Sequence, residues 1–185
     1  MKSQIIEDLE VNGKKIIFRY PKISDSKPAM EFYNKSIKEN LDAGGRLNDL
    51  KPVSAEKERK WLEEIIRKIK NKEALQIFAE CESKIIGSSG ISISRNSAKS
   101  HAGDFGITIL EEFTGKGLGT KLMNKTIEIG TADLGIEMVV LHVFSKNKRA
   151  INLYKKMGFK EAGRIKNGIK VGVKYQDDIT MVKYL

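Results

Sequence analysis

Three glycines between an apolar strand pattern and a helical pattern are the residues most suited to bind an anion. The segment FGITILEEFTGKGLGTKLM spans Phe105–Met123 and places Gly115, Gly117 and Gly119 ahead of its helical part. A helix N-terminus carries unpaired backbone N–H groups and the positive end of the helix dipole. Glycine lacks the Cβ atom that would keep an anion away from those donors. The segment therefore predicts a phosphate or pyrophosphate site after a strand.

The glycine spacing separates three loop designs. A P-loop is excluded because no Gly-Lys-Ser/Thr follows at the required spacing. A dinucleotide-binding loop needs G-x-G-x-x-G in the first βαβ unit, whereas the spacing here is G-x-G-x-G, past the middle of the chain. The third design is the acyl-CoA pyrophosphate loop, [Q/R]-x-x-G-x-[G/A]. Thr114–Gly119 matches it at all but the first position.

A second motif lies downstream, in NKRAINLYKKMGF from Asn147 to Phe159. Asn147 stands at a helix start, and Tyr154 follows nearly two helical turns later, so both lie on one helix face. Gly158 then ends the helix. With both motifs in this order, the chain resembles the GNAT superfamily of acetyl-CoA-dependent N-acetyltransferases. The resemblance covers roughly Ile16–Leu185.

The resemblance implies a cofactor site for acetyl-CoA. In that fold the strand before the glycine loop splays from the next strand, and pantetheine pairs with its free backbone groups. Family members usually have Gln or Arg where this chain has Thr114, and we expect binding to survive because backbone donors dominate. Asn147 is either a CoA ligand or a helix cap, or both. The implied cofactor-binding residues are Ile107, Ile109, Leu110, Thr114, Gly115, Lys116, Gly117, Leu118, Gly119, Thr120, Asn147 and Tyr154.

Acetyl transfer to an amine needs a base, an oxyanion donor and an acid for the leaving thiolate. The resemblance implies Tyr154 as that acid, and tyrosine stays protonated at neutral pH; the alternative is a tyrosine that packs its helix on the sheet. The backbone N–H of Ile109 is the implied oxyanion donor. Asp104 is the candidate base, with a water chain as the alternative, and Glu111 and Glu112 are expected at the mouth of the site.

The acceptor site is expected between two loops, Leu41–Val53 and Lys166–Gln176. Its candidate substrate-binding residues are Tyr33, Asn34 and Tyr175. The C-terminal pattern resembles GNAT subgroups that act on amino acids, small amines or protein N-termini, and it does not choose among them.

The remaining reactive side chains have simpler interpretations. His101 follows a polar turn and predicts a solvated histidine, whereas His142 in an apolar run predicts a satisfied core group. No metal-ligand spacing occurs, so no metal is expected. Cys81 in a strand pattern predicts an inert buried thiol. Trp61 is expected to anchor its helix in the core.

Composition limits the class of protein. The 185 residues predict one domain, 1–185, with a full hydrophobic core. No apolar run approaches the roughly 20 residues of a membrane span, no signal peptide is visible, and a single cysteine excludes an internal disulfide. We therefore expect a soluble, cytoplasmic protein. The net charge of +10 comes from lysines and arginines that are scattered along the chain. This scattered arrangement disfavours nucleic-acid binding, whereas the positive charge itself helps to attract CoA. The sequence leaves open whether the protein forms a homodimer.

Periodicity predicts an α+β fold, layered α/β/α, with a mixed, mostly antiparallel central sheet flanked by helices. Asn12-Gly13 is suited to a hairpin turn, and Ser54 can cap a helix. The predicted strands are Ile5–Val11, Lys14–Tyr20, Ala74–Glu80, Lys84–Ser94, Gly103–Leu110, Glu137–Phe144, Phe159–Ile165 and Asp177–Tyr184. The predicted helices run from Ser24 or Asp25 to Asn40, from Ser54, from Gly117 to Leu134 and from Asn147 to Met157.

These observations favour an N-acetyltransferase that acts on a primary amine. The alternative is a non-catalytic regulatory module that binds CoA through a degenerate acetyltransferase fold, since Thr114 departs from the family pattern. A basic nucleic-acid-binding domain is a third hypothesis, and it predicts binding that weakens steeply with salt.

Overall fold

The structure is a computed structural model that describes residues 5–43, 51–94, 96–171 and 173–185. It confirms the predicted α+β class, with one eight-stranded mixed sheet. The strands are β1 Ile5–Val11, β2 Lys14–Arg19, β3 Ala74–Cys81, β4 Lys84–Ile93, β5 Ala102–Ile109, β6 Met138–Phe144, β7 Lys160–Val171 and β8 Lys174–Tyr184. The helices are α1 Ser26–Ala43, α2 Ala55–Lys70, α3 Leu118–Leu134 and α4 Lys148–Lys156.

The sheet has the order β1-β2-β3-β4-β5-β6-β8-β7. Among the strand pairs of the described residues, only β5 and β6 are parallel, and they pair from Ala102↔Met138 to Asp104↔Val140. β5 continues to Ile109 while paired with β4, and β6 continues to Phe144 while paired with β8. β5 and β6 therefore separate after Asp104, and this divides the sheet into a five-stranded and a three-stranded part.

Helices cover both faces of the sheet. α1 packs on β4 and α2 on β3, whereas α3 packs on β3, β4 and β5. Gly130 of α3 lies so close to β4 that a Cβ atom there would come within 2.6 Å of Cδ1 of Ile91. The core between these layers contains fully buried Phe18, Phe78, Leu62, Leu122 and Met123, among others.

A buried ion-pair network fixes the start of α1. The Arg19 guanidinium donates to both carboxylate oxygens of Asp25, at 2.7 and 2.9 Å, and its Nε donates to Glu80 at 2.6 Å. These partners raise the pKa of Arg19 against the opposing effect of burial, which is the largest single contribution. Asp25 also accepts from the Lys22 N–H at 2.9 Å. β2, β3 and the entry to α1 are thus joined by one guanidinium.

A helix cap and a hairpin turn confirm two local predictions. Ser54 accepts the N–H of Lys57 at 3.2 Å and caps α2. Asn12 and Gly13 have φ angles of +51° and +73°, as the tight turn between β1 and β2 requires. Cys81 is buried, as predicted, and burial raises the pKa of its thiol.

The C-terminal end of the sheet differs from the prediction. The segment Lys166–Gln176 is not a loop, because β7 and β8 extend into it and pair from Ile169↔Gln176 to Val171↔Lys174. A register shift between Ile165 and Ile169 accommodates Asn167 at a φ of +55°. Gly172, within this segment, lies outside the described residues.

Two further expectations concern membrane-spanning helices and metal sites. Within the described ranges, no helix combines the length and apolarity needed to span a membrane. Among the same residues, no cluster of three or more His, Cys, Asp and Glu side chains is arranged to hold a metal ion.

Candidate functional site

One cavity of about 600 Å³ lies between the α1–α2 pair and the sheet, and it continues to α4. Its walls include Phe32 and Tyr33 of α1, Trp61 of α2, and Tyr154 of α4. The cavity thus connects the acceptor side expected from the sequence with the end of the sheet where β5 and β6 separate.

The floor of the cavity is made of small and polar residues in cross-strand register. Ser92 lies opposite Asp104, Gly90 opposite Gly106 and Ser88 opposite Thr108, and all six line the cavity. They share one face because side chains alternate along a strand. The floor therefore offers hydroxyl, backbone and carboxylate groups rather than apolar packing.

The separation of β5 from β6 leaves strand backbone facing a gap. The N–H of Leu110 donates to the carbonyl of Ile86 at 2.9 Å, and the Leu110 carbonyl accepts from Phe113 at 2.9 Å. Because the direction of backbone groups alternates along a strand, those of Ile107 and Ile109 point away from β4 and into the gap. Within the predicted pantetheine-pairing stretch, the N–H and carbonyl of Leu110 thus already make hydrogen bonds inside the fold.

The glycine loop presents an open helix N-terminus. Gly115 and Gly117 have φ angles of +73° and +80°, a conformation that disfavours other residues. Gly117 is the N-cap of α3, and no side chain caps the helix. A Cβ atom added at either glycine would meet no atom within 4 Å, so the surroundings of the two glycines are open. An open loop before a helix N-terminus suits anion binding. Leu118, Gly119 and Thr120 form the first turn of α3.

An arginine missed by the sequence reasoning lies beside this loop. Nη1 of Arg149, on the first turn of α4, donates to Thr114 Oγ1 at 2.9 Å, and Thr114 Oγ1 donates to the Glu111 carbonyl at 2.7 Å. The guanidinium thus reaches the position whose usual Gln or Arg is absent. Lys116 instead folds back on the Glu112 carbonyl at 2.7 Å. The sequence contained one hint, a basic residue two positions after Asn147.

Asn147 and Tyr154 both reach the cavity from α4. The Asn147 side chain accepts the N–H of Ala150 at 3.1 Å, so its role as a helix cap is confirmed. Tyr154 is buried, and its ring packs on Phe159 with 5.9 Å between centroids. The tyrosine therefore packs its helix and lines the cavity at once.

The acidic residues near the loop divide between the cavity and the surface. Asp104 is an exposed residue that lines the cavity. Glu112 pairs with Lys35 at 2.6 Å, which lowers the pKa of the Glu112 carboxyl. The N–H of Glu111 donates to Glu39 at 2.8 Å. Among these, only Asp104 belongs to the described cavity wall.

The three predicted acceptor residues have different positions. Tyr33 lines the cavity. Asn34 does not, because its amide donates to the Val53 carbonyl at 3.0 Å and accepts the Val53 N–H at 2.8 Å. Tyr175 lies on the exposed β7–β8 hairpin, with the Lys170 ammonium 5.2 Å from its ring centroid. The predicted border loop Leu41–Val53 includes residues 44–50, which lie outside the described residues.

Two core predictions were wrong, and both residues line the cavity. Trp61 is 37% exposed and lies 6.4 Å from the Phe78 ring. His142 is half-buried, and its Nδ1 lies 3.3 Å from Thr180 Oγ1 and 3.8 Å from an Asp178 oxygen. His101 is exposed, as expected.

Glu58 of α2 is a second residue that sequence reasoning missed. It lines the cavity with only 8% of its surface exposed, and burial raises the pKa of its carboxyl. In the sequence it belongs to the run Glu56-Lys-Glu-Arg-Lys60, which predicts a solvated helix face. Its burial in the fold, which the charge pattern does not reveal, distinguishes it from its neighbours.

Two curated relatives match parts of this chain. An L-amino acid N-acetyltransferase of Escherichia coli, AaaT, is 32% identical over 48% of this chain and 54% of its own length. A spermidine N(1)-acetyltransferase of Vibrio cholerae is 32% identical over 40% of this chain and 43% of its own length. The matches span about half the length of these relatives.

The fold and a family profile extend the similarity beyond those local matches. The crystal structure of the microcin C7 self-immunity acetyltransferase MccE, in complex with acetyl-CoA and AMP, superposes with a TM-score of 0.75 at 20% identity and covers 96% of each chain. The profile of the Acetyltransferase (GNAT) family matches residues 45–159. With the split sheet, the glycine loop and more than half of its length matched, this chain belongs to the GNAT acetyltransferase family.

Proposed function

We propose that this protein transfers the acetyl group of acetyl-CoA directly to a primary amine, with Tyr154 as the acid that protonates the CoA thiolate. The acceptor is a small molecule, an amino acid or a protein N-terminus. The observation that carries the proposal is the separation of β5 from β6 after Asp104, beside the uncapped N-terminus of α3. This arrangement offers free strand groups and free helix donors at neighbouring positions.

The cofactor is proposed to bind mainly through backbone groups. Ile107 and Ile109 would pair with the pantetheine arm, and the loop from Thr114 through Thr120 would hold the pyrophosphate. Asn147 and the Arg149 guanidinium add polar contacts at the start of α4. The family membership and the acetyl-CoA in the MccE complex support this assignment.

In the proposed reaction the amine nitrogen attacks the thioester carbonyl carbon and forms a C–N bond. The carbonyl oxygen becomes an oxyanion, which the Ile109 N–H can stabilise. Collapse of this intermediate breaks the C–S bond, and the thiolate takes a proton from Tyr154. The proton lost by the amine passes to Asp104 or to a water chain. Asp104 is suited because it opens onto the cavity, as Tyr154 does.

Titration of the pure protein with acetyl-CoA tests the cofactor part of the proposal, and thiol release with a panel of amines tests the transfer. We expect micromolar binding and thiol release that depends on the amine. Binding without release on any amine would favour the alternative, a non-catalytic CoA-binding regulator. Absence of binding would contradict both functions.

The Tyr154→Phe variant tests the assigned acid. Removing the phenolic proton should lower kcat about 10²–10⁴-fold, as expected for the loss of a general acid, while the ring keeps its packing on Phe159 and CoA affinity is unchanged. Steady-state kinetics across pH, with calorimetry for CoA, measure both quantities. Tyr184→Phe, an exposed tyrosine on β8, is the control. Unchanged turnover of Tyr154→Phe across the pH range would contradict the role.

A further inference from the structure

His142 of β6 lies where the sheet opens into the cavity. The last closed pair between β5 and β6 is Asp104↔Val140, and His142 is two residues farther along β6. Because alternate residues of a strand share a face, His142 faces the same side of the sheet as Val140 and Asp104. It lines the cavity, and it is the first residue of β6 beyond the closed pair to face that side.

Two oxygen atoms of the neighbouring strand β8 lie near one nitrogen of the His142 ring. Thr180 is the cross-strand partner of His142, and its Oγ1 lies 3.3 Å from Nδ1. An Asp178 carboxylate oxygen lies 3.8 Å from the same nitrogen. A carboxylate near Nδ1 favours a proton on that nitrogen, which leaves Nε2 as the proton acceptor. Among the described residues, no hydrogen bond to Nε2 is found, and the side chain is 39% exposed.

We propose that His142 deprotonates the ammonium form of the acceptor before the attack, and that Asp178 positions the ring and stabilises the imidazolium. This inference rests on the proposed transferase function and adds a step to it. A primary alkylamine such as the lysine side chain has an ordinary pKa of about 10.4, so at neutral pH it is almost entirely an ammonium ion. An ammonium nitrogen has no lone pair, and it cannot attack the thioester until it loses a proton.

Each proton of the ammonium nitrogen has a defined destination. The first passes to Nε2 of His142 and is later released from the imidazolium to solvent, and the neutral nitrogen then forms the C–N bond. The second leaves as the amide forms, through Asp104 or the water chain of the proposed reaction, and it replaces the proton that Tyr154 gives to the CoA thiolate. The third stays in the amide. The C–S bond breaks and CoA leaves as the thiol.

Other titratable side chains on the cavity walls could also act on the imidazolium. They are Tyr33 on α1, Lys57, Glu58 and Lys68 on α2, Asp104 on β5 and Tyr154 on α4. Lys68 is paired with Glu64 at 2.8 Å. Within the described ranges, the charged side chain found within 4 Å of the His142 ring is Asp178. A nearby carboxylate favours the charged form of a histidine, so removal of the Asp178 charge should make the ring easier to deprotonate.

The pH dependence of kcat/KM, measured with the best amine of the panel, tests this step. Histidine titrates within about one unit of pH 6.5, so wild-type kcat/KM should fall about tenfold per pH unit below a break in that range. His142→Gln keeps a polar side chain but accepts no proton. It should lower kcat/KM about 10²-fold or more at pH 7 and lack the break. The loss should shrink as the pH approaches the pKa of the amine, because solution then supplies the neutral form.

Asp178→Asn tests the positioning role. With the charge beside Nδ1 removed, the break should move to lower pH by about one unit, a shift that a purely structural residue would not cause. His101→Gln is the matched control, because the chain has two histidines and His101 is exposed at the start of β5. Its pH profile should equal that of the wild type. Calorimetric titration with CoA checks that each variant is folded.

A His142→Gln profile that keeps the break would overturn the inference while the transferase function stands. A loss of kcat/KM that is equal at every pH would do the same, because it indicates a structural role. If His142→Gln does not bind CoA, the Asp178→Asn profile decides, and an unmoved break contradicts the step. Absence of thiol release from the wild type with every amine would overturn the proposed function and this step with it.

Discussion

The two ends of the cavity are built from different parts of the chain. At the end proposed for the cofactor, the groups that face the ligand are mostly backbone: the free edge of β5 and the first-turn N–H groups of α3, exposed by Gly115 and Gly117. At the acceptor end they are side chains, such as Tyr33, Glu58 and Trp61.

Because of this difference, mutations at the two ends of the cavity should change different properties of the protein. Backbone N–H groups can bind an anion whichever side chains lie nearby. They lose this ability when a substituted residue adds a Cβ atom in front of them or prefers a different backbone conformation. Side chains on α1 and α2 can be exchanged without changing the path of the chain. We therefore expect cofactor affinity to be sensitive to glycine substitutions, and acceptor selectivity to be sensitive to single side-chain substitutions.

The strongest test of the backbone side is Gly117→Val. A β-branched residue disfavours the φ of +80° at this position, and its side chain would occupy the space ahead of the α3 N-terminus. We expect CoA affinity to fall about tenfold to hundredfold, since the left-handed conformation alone costs roughly 1–2 kcal/mol. Calorimetric titration with CoA measures the change.

Gly135→Val provides a control for strain alone. Gly135 is the C-cap of the same helix, has a φ of +66° and also has open space around its Cβ position. This variant should lose similar thermal stability but keep CoA affinity. If both variants weaken CoA equally, the effect is a general loss of helix stability and not a local one.

Arg149→Ala tests a charged side chain that contacts the loop residue Thr114. Its guanidinium is exposed, so screening reduces its contribution, and we expect CoA affinity to fall about threefold to tenfold. The fall should shrink at high salt. Introducing Thr114→Arg in this background should restore affinity by returning a guanidinium to the usual family position.

Lys148→Ala removes the same charge from the neighbouring exposed residue of α4. It should change CoA affinity less than Arg149→Ala does. Equal effects would mean that only the overall positive field matters, and they would exclude a specific contact from Arg149.

The smallest expected effect concerns stability on the acceptor side. Burial raises the pKa of Glu58, so the folded state binds this proton more tightly than the unfolded chain does. Its contribution to stability is therefore favourable at low pH and is lost as pH rises from about 4.3, the unfolded value, through the raised pKa. Glu58→Gln should melt about 2–4 °C higher than the wild type at pH 7, if the penalty is about 1 kcal/mol.

That difference should disappear near pH 4, where both side chains are neutral. Thermal melts at the two pH values measure it. A Glu58→Gln protein that melts lower than the wild type at pH 7 would show that the carboxylate stabilises the fold.

Turns and helix caps could be predicted from the sequence more easily than the acceptor side of the cavity, and the physical reason is locality. The hairpin at Asn12-Gly13, the caps at Ser54 and Asn147, and the open turn at Gly117 each depend on a few consecutive residues. The order of the two motifs was enough to predict the fold class. The proposed roles of Tyr154 and Asp104 remain predictions.

The acceptor side could not be predicted because it depends on contacts between distant segments. Trp61 and Glu58 lie on one helix whose periodicity does not reveal which residues α1 will cover. Asn34 binds the backbone of Val53, 19 positions away, so its amide is unavailable to the cavity. At the C-terminal hairpin, cross-strand pairing between β7 and β8 forms strands within the segment Lys166–Gln176, which was predicted to be a loop.

The free edge of β5 also bears on aggregation. Unpaired strand groups at the rim of a sheet can template pairing with another chain. Here the part of β5 beyond Asp104 pairs with β4 but not with β6. It lies inside the sheet, and the gap beside it ends at the closed pair Asp104↔Val140. The rim of a second sheet cannot approach this backbone as it could at an outer edge, because β4 and β6 lie on either side of it and the gap is closed at one end. The chain can therefore keep strand backbone available for a ligand without offering it to copies of itself.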